Sequence, residues 1–259
     1  MTVASPPNKS FTISGFLTGD KPAGFLLSVV AGFVDTAAFI ILFGIFTAHV
    51  TGNIALAGSS LVGDDEESVF TRLITLPAFM VTVASTSVLA KYARNRGWPV
   101  FAVLLTAEAI ALIIFLVVGA TLSPALLLDV QEEYILPIAL SGIVAMGIQN
   151  TLMKEAKGIF KSYIPTTVMT GNTTQLTIDL VQLVGAKFSS GEQAEQDAQE
   201  SIERIGRYVP VIIGFALGGG AAAVFILASE TWWTLVMPVV IVTVLAIAAY
   251  VEHYRAPAV

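Results

Sequence analysis

Two copies of one polar tripeptide are the residues of this chain best suited to binding chemistry. Each copy follows a long apolar segment and holds a glycine between a hydroxyl and an amide side chain. A polar break at membrane depth needs protein groups or water to satisfy its backbone, and in transporters such breaks mark binding sites. We therefore expect both copies to line a binding site for a small polar or anionic solute. They are Thr51-Gly52-Asn53, in FTAHVTGNIALAG, and Thr170-Gly171-Asn172, in PTTVMTGNTTQL.

A short helix is expected after each tripeptide, with an asparagine or threonine as its N-cap, because these side chains accept hydrogen bonds from free amides of the first turn. Gly52 and Gly171 would allow close approach of the backbone. A helix that starts inside the membrane presents unpaired N–H groups and a partial positive charge, which favour an anion or a polar group. The alternative is that both tripeptides only cap and pack buried breaks.

Two carboxyl groups lie in the middle of apolar segments, Asp35 in the first and Glu108 in the third. A charge at that depth costs about 2.5–3.5 kcal/mol on insertion scales, so such residues are often functional. We expect them either to bind protons reversibly in proton-coupled transport or to join helices through hydrogen bonds. Asp35 aligns with Asn150 in the second half, and an amide cannot titrate, which favours a function for Asp35.

A second polar set follows in the other half of the chain. Gln149 and Asn150 place two amides side by side in the fourth apolar segment, and we include both among the expected solute-binding residues. Gln175 and Asp179 are four residues apart and would share one face of a helix. That face would line an aqueous vestibule or lie at the membrane interface.

The sequence shows no recognisable catalytic or cofactor-binding motif. It has no cysteine, and its two histidines, His49 and His253, are far apart, so neither thiol chemistry nor a clustered metal site is indicated. No nucleophile elbow, phosphate-binding loop or dinucleotide fingerprint occurs. We expect a protein that is not an enzyme and binds no metal or cofactor.

Composition places the chain in the membrane. Its 259 residues are 55% hydrophobic and only 12% charged, with a mean hydropathy of +0.81, whereas globular domains are about 25% charged. Basic residues are few and the net charge is -6, so nucleic acid is not an expected partner. The lipid bilayer is the expected environment of most of the chain.

Six apolar runs reach the roughly 20 residues that are needed to cross a bilayer core. The segments after the tripeptides, residues 54–62 and 173–184, would either cross as well, giving eight helices, or be short pieces that do not cross. The six predicted spans are residues 23–46, 70–90, 99–120, 134–153, 208–228 and 232–251.

Loop charges favour six crossings over eight. With six, the basic residues near the ends of spans share one side and seven acidic residues of two loops share the other, as expected when Lys and Arg flank cytoplasmic ends. We therefore predict six crossings, both termini in the cytoplasm and location in the inner membrane. The basic residues are Lys91, Arg94, Arg96, Lys154, Lys157 and Lys161, and the acidic ones are Asp64, Asp65, Glu66, Glu67, Asp129, Glu132 and Glu133.

The predicted fold is an all-α membrane protein built from two inverted repeats. Each repeat has three transmembrane helices and a short broken or re-entrant polar segment after its first helix. An odd number of crossings inverts the second half relative to the first, as in many secondary transporters. The predicted parts are a mobile cytoplasmic tail (residues 1–22), the repeats (23–120 and 134–251) and a cytoplasmic acidic insertion (189–204).

The two halves carry a pair of signatures that resemble one family. The first half reads GFVDTAAFIILFGIFTAHVTGN, with Gly-x-x-Asp in the first span, and the second reads GIQNTLMK followed by PTTVMTGNTTQL. Together they resemble the YoaK-like family of bacterial multi-pass inner-membrane proteins, which is the domain of unknown function 1275. The resemblance covers nearly the whole chain. It implies a multi-pass inner-membrane protein and supplies no substrate.

The sequence therefore favours a secondary transporter or facilitator of a small polar or anionic solute, with proton coupling through Asp35 and Glu108. The alternatives are a channel-like pore, in which facing short helices form a filter, and a scaffold or accessory protein that transports nothing. Gly214 and Gly218 form a Gly-x-x-x-Gly face that suits close helix packing, either within one protomer or in a homodimer.

Overall fold

The computed structural model describes residues 11–63, 66–124, 130–156, 164–188 and 191–255, and these are almost entirely helical. Short 3₁₀ turns lie at Leu61–Gly63 and Trp232–Leu235. The helices in those ranges are α1 (Ile13–Leu17), α2 (Asp20–Ile41), α3 (Val50–Ser60), α4 (Glu66–Asn95), α5 (Val100–Leu122), α6 (Glu132–Glu155), α7 (Met169–Ala186), α8 (Glu192–Ser229) and α9 (Val236–Arg255).

Six of these helices, α2, α4, α5, α6, α8 and α9, are long and apolar enough to cross a membrane, which agrees with the six predicted spans. The predicted end of the first span was wrong, because α2 stops at Ile41 rather than continuing to residue 46. Phe43 and Gly44 both have positive φ angles, 50° and 85°, which a right-handed helix cannot include. The Arg72 guanidinium donates to both of their carbonyls, at 2.9 and 2.6 Å, and holds this reversal.

The direction of α9 relative to α5 agrees with a bundle in which α7 does not cross. The Trp232 indole, before α9, donates to the Ser123 carbonyl after α5 at 2.8 Å, and residues at the opposite ends, Val100 and Ala249, line one cavity. The two helices are therefore antiparallel. Crossings by α6, α8 and α9 produce that relation, whereas a further crossing by α7 would make α5 and α9 parallel.

The start of the chain gives the same result for α3. Thr18, just before α2, lines the cavity that also contains Glu252, near the end of α9, and the Ser14 hydroxyl donates to that carboxylate at 2.9 Å. The beginning of α2 and the end of α9 are thus on the same side, as six crossings by α2, α4, α5, α6, α8 and α9 require. With α7 excluded, a crossing by α3 would break this relation.

Charges divide between the two ends of the bundle. The side at which α4 and α6 end carries Arg94 and Lys154, and we call it the basic side; Glu132 and Glu133 begin α6 on the opposite, acidic side. Other residues that entered the charge prediction lie outside the described residues or have no described side chain. They are Lys157, Lys161, Asp64, Asp65, Glu66, Glu67 and Asp129.

Two predicted non-membrane parts are helical where the structure describes them. Residues 13–17 of the predicted tail form α1, whose N-cap Thr12 and Ser14 both donate to the Glu252 carboxylate. The predicted insertion, from residue 192 onward, is the first part of α8 and packs on α7, where Arg204 lies 2.9 Å from Asp179. Residues 1–10 and 189–190 lie outside the described residues.

Glycines allow α2 and α8 to pack with their backbones in contact. A Cβ added at Gly218 would lie 2.0 Å from the Val29 carbonyl oxygen, and one at Gly32 would lie 2.1 Å from the Phe215 carbonyl oxygen. The predicted Gly-x-x-x-Gly face of α8 is therefore used within the protomer, where α2 covers it.

The prediction that asparagine or threonine caps the short helices was wrong. Helix α3 begins at Val50 and α7 at Met169, so each tripeptide forms part of the first turn. The N-cap positions belong to His49 and Val168, and neither side chain makes a capping hydrogen bond.

Each tripeptide asparagine instead binds backward, to the residue seven positions earlier. Asn53 accepts the Phe46 N–H at 2.9 Å and donates to the Phe46 carbonyl at 2.7 Å and to the Thr75 hydroxyl at 3.1 Å. Asn172 donates to the Pro165 carbonyl at 2.7 Å. Asn172 cannot accept a backbone N–H from that position, as Asn53 does from Phe46, because proline has no N–H.

The crossing pattern predicts the accessibility of engineered cysteines, which can be introduced singly because the chain has none. Asn95→Cys and Tyr254→Cys should react with a membrane-impermeant maleimide from the same side of a vesicle, and Gln131→Cys from the opposite side. All three positions are exposed. Labelling of Gln131→Cys and Tyr254→Cys from one side would indicate eight crossings and contradict the fold.

The asparagine contacts predict unequal losses of stability. Asn53→Ala should lower the thermal unfolding midpoint in detergent more than Asn172→Ala does, because it removes more hydrogen bonds, and a buried group left unpaired costs about 1–3 kcal/mol. Asn95→Ala, at an exposed end of α4, is the control and should change little. Equal midpoints for Asn53→Ala and Asn95→Ala would show that the bonds to Phe46 and Thr75 contribute nothing.

Candidate functional site

The chain between α2 and α3 folds back onto α2 at Asp35, which lies six residues before the end of that helix. Its Oδ1 accepts the backbone N–H groups of Thr47 at 2.8 Å and Ala48 at 2.7 Å, and the Thr47 hydroxyl at 3.2 Å. Its Oδ2 is bound by Nδ1 of His49. Asp35 is only 2% exposed, so this carboxyl group fixes the returning chain inside the helix bundle.

The second half repeats this arrangement with amides. Asn150 accepts the Thr167 hydroxyl on its Oδ1 at 2.7 Å, as Asp35 accepts from the equivalent loop of the first half. The neighbouring Gln149 donates to the Thr166 hydroxyl at 2.9 Å and to the Leu27 carbonyl of α2 at 2.7 Å. Val168 stands where the first half has His49, so the second half has no titratable pair at this place.

Both short helices begin at one cavity of about 560 Å³. Their first turns carry N–H groups that no N-cap side chain satisfies, and the positive ends of their dipoles are directed there. The middle of α4 and the last two turns of α6 also line this cavity. Its lining residues are Ala48, His49, Val50, Thr51, Phe79, Val83, Ser87, Asn150, Thr151, Lys154, Glu155, Thr167, Val168, Met169 and Thr170.

The predicted binding residues divide into two groups. Thr51, Thr170 and Asn150 line the cavity. The others lie behind it: Asn53, Asn172 and Gln149 are buried at 1% exposure or less and hold the loops, while Gly52 and Gly171 are not among the lining residues. Asp35 does not line the cavity either. It is bound by His49, which does line it.

The surroundings of Gly52 are packed more tightly than those of Gly171. A Cβ at Gly52 would lie 2.8 Å from the Phe46 ring, so the first tripeptide has no room for a side chain there. A Cβ at Gly171 would meet only Val168, at 3.8 Å, which is an ordinary contact. Phe46 in turn packs on the His49 ring, with centroids 5.5 Å apart, so Gly52 helps to place His49.

The cavity reaches the basic side of the molecule, because the last residues of α6 form its rim. There Glu155 lies 2.9 Å from the Arg94 guanidinium and accepts the Ser87 hydroxyl at 3.1 Å. Lys154 lines the same region.

The two other polar features of the sequence are separate from this cavity. Glu108 lies in α5, fully buried, and neither carboxyl oxygen has a hydrogen-bond partner among the described residues. Asp179, expected on a wet or interfacial face, is fully buried and paired with Arg204, and Gln175 donates to it at 3.1 Å. Those contacts pack α7 against α8.

The residue that the sequence reasoning missed is His49. It lies fourteen residues after Asp35, a spacing that no continuous helix would bring into contact. The available signal was Phe-Gly-Ile-Phe at residues 43–46, because a glycine there permits the reversal that returns His49 to the level of Asp35.

Comparison with known proteins supplies a family for this fold. No solved structure matches the chain. Among curated proteins it is similar to the UPF0700 transmembrane protein YoaK of Bacillus subtilis (strain 168), with 33% identity over 155 residues. That alignment spans 60% of this chain and 64%, or less than two thirds, of the relative. Residues 23–248 match the family described as "Protein of unknown function (DUF1275)", and this integral membrane protein therefore belongs to that family.

Proposed function

We propose that this protein is a secondary transporter or facilitator of a small polar or anionic solute in the inner membrane, with both termini in the cytoplasm. The observation that carries the proposal is the single cavity at which α3 and α7 both begin. Its volume, about 560 Å³, suits a small molecule. The basic side is then the cytoplasmic side.

The matched contacts of the two halves support inverted repeats. The unit α2–α5 and the unit α6–α9 each contain a long helix, a returning loop, a short helix and two further long helices. In each, the tripeptide asparagine binds the carbonyl seven residues earlier. Three crossings in each unit give the halves opposite orientations, which is the arrangement of many transporters whose site lies between the repeats.

The short helices are re-entrant under this proposal. Helix α3 starts beside Asp35, about 9 Å before the end of α2 at the usual helical rise, and leads to α4 on the acidic side. Helix α7 starts beside Asn150 and leads to α8 on the basic side. Each thus returns to the side from which its loop entered, and their starts face each other across the cavity.

The charges around the cavity favour an anion or a polar group with a partial negative charge. The first turns of both helices direct to it N–H groups that no N-cap side chain satisfies, and the Lys154 side chain also lines it. The hydroxyls of Thr51 and Thr170 and the amide of Asn150 offer further hydrogen bonds to oxygen atoms.

A carrier is favoured over an open pore because aromatic rings pack beyond His49. The Phe215 ring lies 5.9 Å from the imidazole and the Phe46 ring 5.5 Å, while Asp35 holds the returning loop behind them. Such packing closes the route from the cavity to the acidic side. A scaffold that transports nothing would not require polar helix starts to face a cavity.

The proposal predicts that single cysteines in the cavity react preferentially with anionic reagents and can be reached from both sides of the membrane. Thr51→Cys and Thr170→Cys should react faster with an anionic methanethiosulfonate (ethylsulfonate) than with a cationic one (ethyltrimethylammonium), after division by the rates with free 2-mercaptoethanol. Gln199→Cys, on the exposed acidic part of α8, is the control and should show the opposite preference.

The same variants distinguish transport from the alternatives. In sealed vesicles of known orientation, a carrier predicts fast labelling from the basic side and slower, temperature-dependent labelling from the acidic side, as the closed route opens. A continuous pore predicts similar rates from both sides. Labelling from the basic side alone at every temperature would contradict transport and favour a scaffold.

A further inference from the structure

We propose that His49 carries a proton that fastens the two halves of the molecule together: the protonated ring binds Asp35 in one half and the backbone of Thr167 in the other, and the neutral ring releases one of them. This inference deepens the proposed function, on which it rests for its role in transport. The contact between the halves stands independently of what the cavity binds.

The first contact is fixed by the geometry of Asp35. Its Oδ1 already accepts hydrogen bonds from Thr47 and Ala48, and its Oδ2 is bound by His49 Nδ1. The carboxylate therefore has one well-defined place for the imidazole. The rings of Phe46 and Phe215 pack against the imidazole at 60° and 80° and restrict its orientation.

The second contact crosses to the other half. His49 and Thr167 line the same cavity, and a hydrogen bond from the second ring N–H of His49 to the Thr167 backbone would stabilise the protonated imidazole. Thr167 belongs to the loop that leads to α7, and its hydroxyl donates to Asn150 of α6. A bond from His49 to this backbone therefore joins the start of α3 to the start of α7.

Imidazole chemistry makes the double contact depend on the proton. A protonated imidazole has two N–H donors, whereas the neutral ring has one donor and one acceptor. Asp35 Oδ2 and a backbone carbonyl are both acceptors, so only the protonated ring can satisfy both. Histidine is also the side chain whose charge changes near neutral pH.

The proton can reach His49 from the cavity. The His49 side chain is 32% exposed, whereas that of Asp35 is 3% exposed. In the other half the equivalent residue is Val168, which cannot bind a proton, so a single residue controls the contact.

The charged groups around His49 favour the protonated form on balance. Asp35 of α2 binds the ring directly. From α6, Lys154 and Glu155 line the cavity, and Glu155 is paired with Arg94 of α4. The other groups that face the cavity from α4 and α7, and Phe215 of α8, carry no charge.

The test combines two readouts on the full-length protein. The variant His253→Gln leaves His49 as the only histidine, so ¹⁵N imidazole NMR in detergent follows its protonation directly. In the same background, the labelling rate of Thr170→Cys by the anionic methanethiosulfonate, divided by the rate of Gln199→Cys, follows access between the halves. The ratio should rise several-fold as pH increases through the NMR midpoint.

The control variant is His49→Asn, whose amide can donate to Asp35 and cannot be protonated. Its labelling ratio should be independent of pH. A pH-dependent ratio in His49→Asn, a constant ratio with His49 present, or a labelling midpoint separate from the NMR midpoint would each overturn the proposal. The midpoint comparison uses no change at His49, so it decides even where His49→Asn does not fold.

The outcome of this test is independent of the outcome of the transport test. A labelling ratio that follows His49, together with one-sided labelling of Thr51→Cys, would establish a proton-dependent contact in a protein that does not transport. Two-sided labelling with a ratio independent of His49 would retain transport and reject this residue as its proton carrier.

Discussion

The structure depends on satisfying two loops of backbone that turn back inside the helix bundle. In a bilayer core a free N–H or carbonyl costs several kcal/mol, so a broken segment persists only where side chains replace the missing helical bonds. Asp35 accepts hydrogen bonds from the N–H groups of Thr47 and Ala48. Asn53 binds both the N–H and the carbonyl of Phe46. The short helices, the cavity between them and the direction of α4 and α8 all follow from these anchored reversals.

The two reversals use the same positions with different chemistry. In the first half a carboxylate accepts backbone N–H groups and a histidine, while in the second an amide accepts a threonine hydroxyl. Under our proposal the proton is carried by His49, which binds the anchor of the first half. The second half has Val168 at the equivalent position.

Hydropathy and segment length were sufficient to predict the six helices that are long and apolar enough to cross a membrane. Those properties depend on the transfer of whole segments into lipid, which sums over many residues and tolerates local error. The repeated Thr-Gly-Asn also predicted one shared solute-binding site. Thr51, Thr170 and Asn150 line one cavity, and the binding of a solute there stays a prediction.

Details that depend on loop conformation could not be predicted in the same way. The end of α2 moved to Ile41 because Phe43 and Gly44 adopt positive φ, and the N-caps moved to His49 and Val168 because the tripeptides lie within the first turns. Asp179 was predicted to lie on an aqueous or interfacial face, but it pairs with Arg204, which lies twenty-five residues later in the chain. Each outcome is decided by a contact between residues that the chain brings together only after folding.

The most direct measurement of the central claim, that both short helices start at one shared cavity, is a cross-link between them. A protease site placed between α5 and α6 would separate the halves on a denaturing gel unless Thr51→Cys and Thr170→Cys are joined by a short bifunctional methanethiosulfonate. We predict that this pair keeps the halves together after proteolysis, while Thr51→Cys with Thr177→Cys, farther along α7, does not. Separation of the halves for both pairs, with each cysteine shown to be reactive, would contradict the account.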